Sequence, residues 1–134
     1  MIYFLDTNTC IFHLNAKFDS IKLKLDKLPR TAIQIPSVVA AELYYGACKS
    51  ERKEYNLKRY LTFLSAYEVV PFSHNASRIY GDIRADLEHK GRIISANDLL
   101  IAATVIANDG ILVTNNTDEF SRVSQLVIED WTKL

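Results

Sequence analysis

The hydrophobic pattern of this chain switches period again and again, and that alternation constrains the fold more than any other feature. Five apolar runs (Ile2–Leu5, Ala32–Ile35, Val69-Val70, Ile111–Val113 and Leu126–Ile128) are too short for helices and read as buried strands. Helical segments separate them. Thr9–Leu14 reads as a short helix after the turn-favouring Asp6-Thr7-Asn8. Ser20–Leu28 alternates at Ile21, Leu23 and Leu25, yet Ile21, Leu25 and Leu28 also fit helical spacing, and the lysines and following Pro29 favour helix. Pro36-Ser37 opens a helix through Ala47, with Ser37 read as its cap. Within Ser50–Tyr67, the residues Leu57, Tyr60, Leu61 and Leu64 form an i, i+3, i+4, i+7 stripe. Ser73 starts a helix carrying Ala76, Ile79, Ile83 and Leu87, with a stop at Gly91. Ser95 caps another, running to about Asn108, and a short turn or helix follows at Thr117–Arg122. Short buried strands alternating with helices predict a parallel α/β sandwich. In such open sheets, chemistry collects beyond the carboxyl ends of the strands.

Composition narrows the class. A chain of 134 residues, 49% hydrophobic and 24% charged, suits one globular domain spanning residues 1–134. No repeat, low-complexity tract or linker interrupts it. Only 4 glycines are present, which excludes Gly-rich phosphate loops. The longest apolar stretch, Leu99–Ala107, is broken by Thr104, while a membrane span needs about 20 residues. The start, MIYFLDTN, has no basic leader and is interrupted by Asp6, so no secretory signal is expected. Cys10 and Cys48 make no CxxC pair, which fits a reducing cytoplasm. The formal net charge is zero, against a nucleic-acid coat protein. Its distribution is uneven: residues 17–59 hold ten Lys and Arg against five acids, leaving +5 there and −5 elsewhere. One part could face a polyanion while the other holds carboxylates; two solvated helix faces would look the same on charge alone.

The acids fall into two groups. Asp82 follows Arg78 by four, Asp86 precedes Lys90 by four and Glu54 precedes Lys58 by four, the spacing of solvated helix-face pairs. Asp6, Glu42 and Asp98 have no such counter-charge. Asp6 directly follows an apolar strand. Glu42 has Val38, Val39, Tyr45 and Gly46 at its helical neighbours, and Asp98 has Ile94, Ser95, Ile101 and Ala102. An isolated buried charge is very costly, so such acids must be paired, metal-bound or protonated. If they converge they form an all-oxygen negative pocket, suited to Mg²⁺ or Mn²⁺ rather than zinc. Each also has a purely structural reading. Asp6 could cap the following helix, Asp98 could close a capping box with Ser95, and Glu42 could lie on an exposed helix edge. Thr114-Asn115-Asn116-Thr117-Asp118-Glu119-Phe120 places further polar groups at another strand end, or forms a capped turn anchored by Phe120.

These residues, in this order, resemble the PIN-domain nucleases, and more narrowly the VapC-type toxins of bacterial type II toxin–antitoxin systems. The matching segments are LDTN (Leu5–Asn8), Ala41-Glu42-Leu43 leading to Gly46, NDLLIAA (Asn97–Ala103), LVTNNTDEF (Leu112–Phe120) and the closing EDW (Glu129–Trp131). Together they span essentially the whole chain. The resemblance implies a three-layer α/β/α sandwich with a short, mostly parallel sheet. It implies a Mg²⁺- or Mn²⁺-dependent endoribonuclease acting on RNA, with a tRNA, such as the initiator tRNA at its anticodon loop, as the expected substrate. Asp6, Glu42 and Asp98 fall on the family's main acids, with Asp6 and Asp98 as direct metal ligands. Many PIN domains carry a fourth Asp where this chain has Asn116; Glu119, just before Phe120, is the alternative acid. Thr7, Asn8, Asn97, Thr114 and Asn116 are the implied supporting residues, with Thr7 and Asn8 positioning Asp6. The resemblance further implies a homodimer, a VapB-type antitoxin whose C-terminal segment covers the site, higher assembly with it, and operator DNA bound only through that antitoxin. Tyr44, Tyr45 and Tyr60 could serve such an interface, or be core.

Other classes fit less well. A haloacid-dehalogenase-like phosphatase would have DxD where this chain has Asp6-Thr7-Asn8, and a receiver domain would have an acid pair there. A non-catalytic binding module would not need to retain Asp6, Glu42 and Asp98. A nuclease for DNA flaps would carry additional helical elements.

Overall fold

The architecture comes from a computed structural model that describes residues 1–133. In chain order the elements are β1 (Tyr3–Leu5), α1 (Thr7–Leu14), α2 (Asp19–Lys27), a 3₁₀ turn (Arg30–Ala32), β2 (Ile33–Pro36), α3 (Ser37–Cys48) and α4 (Lys53–Leu64). They continue with β3 (Glu68–Val70), α5 (His74–His89), α6 (Ala96–Ala107), β4 (Ile111–Val113), α7 (Thr117–Phe120) and β5 (Val127–Glu129). The strands form one sheet in the order β3-β2-β1-β4-β5, and every neighbouring pair is parallel. Successive residues of a strand point to opposite faces. Phe4 and Leu5 in β1, and Ile111, Leu112 and Val113 in β4, are nevertheless all buried. Helices must therefore cover both faces, which makes a three-layer α/β/α sandwich and explains the unbroken apolar runs. Among the described residues, no helix is long and apolar enough to cross a membrane.

The element types agree with the sequence pattern, and the ends differ for local reasons. Helix α1 starts at Thr7 rather than Thr9, because Asp6 accepts a hydrogen bond from the Thr9 N–H (2.9 Å) and caps the first turn. Ser37 is not a cap. Strand β2 runs straight into α3, so Pro36 takes the cap position with extended backbone and no side-chain cap bond is made. Helix α4 begins at Lys53, because the preceding turn is tied by the Ser50 hydroxyl, which donates to Ala47 O (2.7 Å) and accepts from Asn56 (3.0 Å). The ambiguous Ser20–Leu28 segment is helical, with Ile21 and Leu25 buried and Leu23 exposed. Ser73 and Ser95 cap α5 and α6 as read. Gly91 adopts φ +66 just past α5, the left-handed conformation that ends helices at glycine. Arg78–Asp82 and Lys90–Asp86 form their helix-face pairs, whereas Glu54 and Lys58 form none. Tyr44 and Tyr60 pack against the core, and only Tyr45 of the three is largely exposed.

Candidate active site

The sheet topology defines where the site must lie. From β1 the chain builds outward to β2 and β3, then crosses back to add β4 and β5 on the other side. The strand order therefore reverses between β1 and β4, and the crevice beyond their carboxyl ends is the natural ligand site of an open parallel sheet. Asp6 is the first residue past β1, and its N–H donates to Val113 O at the end of β4 (3.1 Å). Thr114 leaves β4 at the same level, and its N–H donates to Glu129 O of β5 (2.9 Å).

A cavity of about 150 Å³ opens there. Asp6, Glu42 and Asp98 line it together with Thr7, Asn8 and Asn116, over an apolar wall of Ile101 and Phe120. Three separate elements deliver the acids. Asp6 comes from the β1–α1 junction, Glu42 from the middle of α3, and Asp98 from the first turn of α6, where its N–H is capped by Ser95 Oγ (3.2 Å). Asp6 caps the first turn of α1 and Asp98 sits in the capped first turn of α6, and both also line the cavity. Glu42 is half-buried rather than lying on an open edge.

Electrostatics mark the same spot. Burial pushes the Asp6 carboxyl above its ordinary range, and the charge of Glu42 adds to the rise, against the Thr114 hydroxyl and the Thr9 N–H, which favour the charged form. Desolvation also raises Asp98; Glu119, Glu42 and Asp6 add to the rise by charge, while the Ser95 hydroxyl opposes it. Glu119 does not line the cavity, but its charge reaches Asp98 from α7. Asp118 points away, largely exposed, and pairs with Arg122 (3.6 Å). Beneath Asp6, the buried Cys10 thiol is pushed well up by burial and by the Asp6 charge, so it stays neutral and serves packing rather than nucleophilic chemistry.

The supporting residues divide. Thr7 donates from Oγ1 to Glu42 Oε1 (2.9 Å), so it positions Glu42 instead of Asp6. Asp6 is held by Thr9, which the sequence reading missed; its hydroxyl donates to Val113 O (3.2 Å). The fully buried Thr114 accepts from the Asn116 N–H (3.0 Å) and ties the β4 exit loop. Asn8 and Asn116 reach the cavity, whereas Asn97 lines an adjoining groove. Arg122 was also missed. It donates to Ile93 O (3.2 Å) while paired with Asp118, which ties α7 to the loop leading into α6. Its visible signal was the i+4 spacing from Asp118.

The donor set suits a hard divalent cation. Every cavity donor is oxygen or an amide, and among the described residues no ion pair engages Asp6, Glu42, Asp98 or Glu119. Also among the described residues, no three acids stand close enough to ligate one ion by themselves. A Mg²⁺ ion is commonly held by one or two carboxylates and keeps several waters, and Asp6 and Asp98 are the carboxylates that could hold it here.

The PIN domain matches residues 3–126, and the chain belongs to the PIN-domain family. It is 46% identical to Ribonuclease VapC2 of Rickettsia felis over 99% of this chain and 100% of that protein. It is 39% identical to the tRNA(fMet)-specific endonuclease VapC of Shigella flexneri, over 97% of this chain and 98% of that one. The crystal structure of VapBC2 from Rickettsia felis bound to a DNA fragment from its promoter superposes with a TM-score of 0.91 at 45% identity, covering 98% of this chain and 99% of that one. The chain is accordingly an enzyme of the VapC ribonuclease group, a hydrolase of phosphodiester bonds.

Proposed function

We propose that this protein is the toxin of a two-component toxin–antitoxin pair, an endoribonuclease that cuts tRNA in the cavity of Asp6, Glu42 and Asp98 with the help of Mg²⁺ or Mn²⁺. The observation that carries this reading is the convergence of those acids, from β1, α3 and α6, on one cavity with no cationic partner. A bound divalent ion supplies activation of water and charge relief on the leaving oxygen. Asp6 and Asp98 would hold it. Glu42, fixed by the Thr7 hydroxyl, would hold the ion through a water or orient the attacking water and accept its proton. Thr9 and Thr114 keep the Asp6 carboxylate oriented and charged, as outer groups do around metal ligands. Glu119 adds negative charge from the rim, and Asn116 and Asn8 offer amides to the substrate backbone. The excess of Lys and Arg in residues 17–59 supplies counter-charge for RNA phosphates.

The Shigella relative is named for tRNA(fMet), so initiator tRNA and its anticodon loop are the first substrate to test. The Rickettsia structure is a VapBC complex on promoter DNA, which supports a VapB-type antitoxin as partner and operator DNA bound through it. Homodimerisation and a cytoplasmic location, where tRNA is found, complete the proposal. The test is to incubate the partner-free chain with total bacterial tRNA in Mg²⁺, in Mn²⁺ and in EDTA, beside Asp6→Asn and Asp98→Asn. Discrete fragments that require metal and vanish in both variants are expected. A folded wild-type protein that cuts no RNA with either metal overturns the proposal.

A further inference from the structure

The acid cavity continues into a second, larger depression of about 720 Å³, and Thr7 and Glu42 line both. One wall is a single stripe of α3, Val38, Ala41, Glu42, Tyr45 and Gly46, continued by Lys49 at the helix's C-terminal cap. Ile11 of α1 and Leu100 of α6 close the other side. The surface is apolar next to the acids and ends in a cation, Lys49, two helical turns beyond Glu42. Tyr45 is 65% exposed, and the Lys49 ammonium stands 4.7 Å from its ring centroid. Tyr45 is thus a largely open aromatic ring beside a lysine, in a groove that adjoins the acid cavity.

We infer that this groove takes the unstacked nucleobase next to the cleaved phosphate, with Tyr45 as its stacking platform and Lys49 as the counter-charge for the following phosphate. The inference rests on the RNA-cleaving reading above and adds a binding residue outside the acid set. Continuity selects the occupant. Glu42 and Tyr45 line the same groove, so a phosphodiester held at Glu42 has its neighbouring base within that groove, and proteins hold single-stranded RNA by stacking splayed bases on aromatic rings. Charge agrees, because the acids cannot receive a second phosphate and Lys49 can exchange its exposed ring contact for one. Gly46 leaves the space open: a Cβ built there meets nothing within 4 Å.

The test measures cleavage of the mapped tRNA substrate by wild type, Tyr45→Ala, Tyr45→Phe and Gly46→Leu. It also follows the fluorescence of the same anticodon stem-loop carrying 2-aminopurine beside the cut, bound to a cleavage-dead Asp98→Asn background. Tyr45→Ala should raise KM roughly 5- to 150-fold, the range that loss of one stacked base gives, with kcat little changed. It should also abolish the 2-aminopurine quench, which Tyr45→Phe retains. Gly46→Leu should keep or raise Tm yet raise KM, a result that no structural role for the glycine predicts. An active wild type whose Tyr45→Ala variant keeps both KM and quench overturns the inference alone. So does an effect of Tyr45→Ala confined to binding of the antitoxin, which would make the groove a peptide site. Wild-type inactivity on all RNA instead overturns the functional reading beneath it.

Discussion

Placing a methyl group on Gly110 probes how β1 is held in the position from which it presents Asp6. Gly110 lies between α6 and β4, with its N–H donating to Val105 O (3.1 Å). A Cβ there would collide with Phe4 Cε2 and fall 2.5 Å from Phe4 Cδ2, with Ile2 O at 3.2 Å. Carbon atoms prefer about 3.5–4.0 Å, so the ring must retreat by about 1 Å. Phe4 is 0% exposed in β1, inside a core packed as densely as an organic crystal, so the retreat displaces its neighbours. Overpacking of this kind costs about 1–3 kcal/mol, offset by about 0.4–1 kcal/mol from a stiffer unfolded chain. Gly110→Ala should therefore lose about 1–2 kcal/mol, a fall in Tm of roughly 3–8 °C for a chain of this size. Thermal unfolding followed by circular dichroism in EDTA measures it. Phe4→Leu removes the ring edge the methyl would strike, so the double variant should be more stable than the sum of the single losses by about 0.5 kcal/mol or more. An unchanged or higher Tm for Gly110→Ala, or strict additivity with Phe4→Leu, would refute the reasoning.

Asp98→Asn should stabilise the metal-free protein at neutral pH. The folded protein holds the Asp98 proton more tightly than the unfolded chain does, chiefly by desolvation, so ionising it costs stability as pH rises above the ordinary carboxyl value of 3.8. The gain from the variant should shrink as pH falls toward that value, and the metal-free wild type should gain Tm on adding Mg²⁺ at pH 7 only; Tm series with and without EDTA read both, and a gain independent of pH counts against a raised Asp98. Thr7→Val removes the hydroxyl that fixes Glu42 while leaving shape unchanged. It should lower kcat at least tenfold with little effect on KM, and a KM change instead would place Thr7 on the substrate. Arg122→Met should lower kcat and Tm together by freeing α7 from the loop before α6, at about 1–2 kcal/mol, discounted because the Asp118 partner is exposed; a variant with normal Tm and activity removes Arg122 from the site's support.

What the sequence makes legible here is whatever depends on period and on missing counter-charges. The buried strands, the capping serines Ser73 and Ser95, and the isolation of Asp6, Glu42 and Asp98 are local properties, visible within four residues on either side. What depends on two distant segments meeting is not visible that way. Thr7 could as well have faced Asp6, and only the approach of α3 to α1 turns it to Glu42 across 35 residues. Thr9 looks like an ordinary first-turn threonine until β4 brings Val113 O within reach. Ser37 looks like a cap because serine usually is one, and Pro36 displaces it because β2 pairs through Pro36 with Val70 and leaves no residue for a turn. Tyr44, Tyr45 and Tyr60 are indistinguishable by composition; Tyr44 on α3 and Tyr60 on α4 pack against the core, whereas Tyr45 shares its face with Ala41 and Lys49, four residues to either side, which border the open groove beside the acids. The acids themselves were legible because each is a charge set among apolar neighbours with no local partner, an arrangement that costs free energy as far as it is buried. The residues that make those acids useful were not, since a hydroxyl or an aromatic ring costs little until the fold decides what it faces.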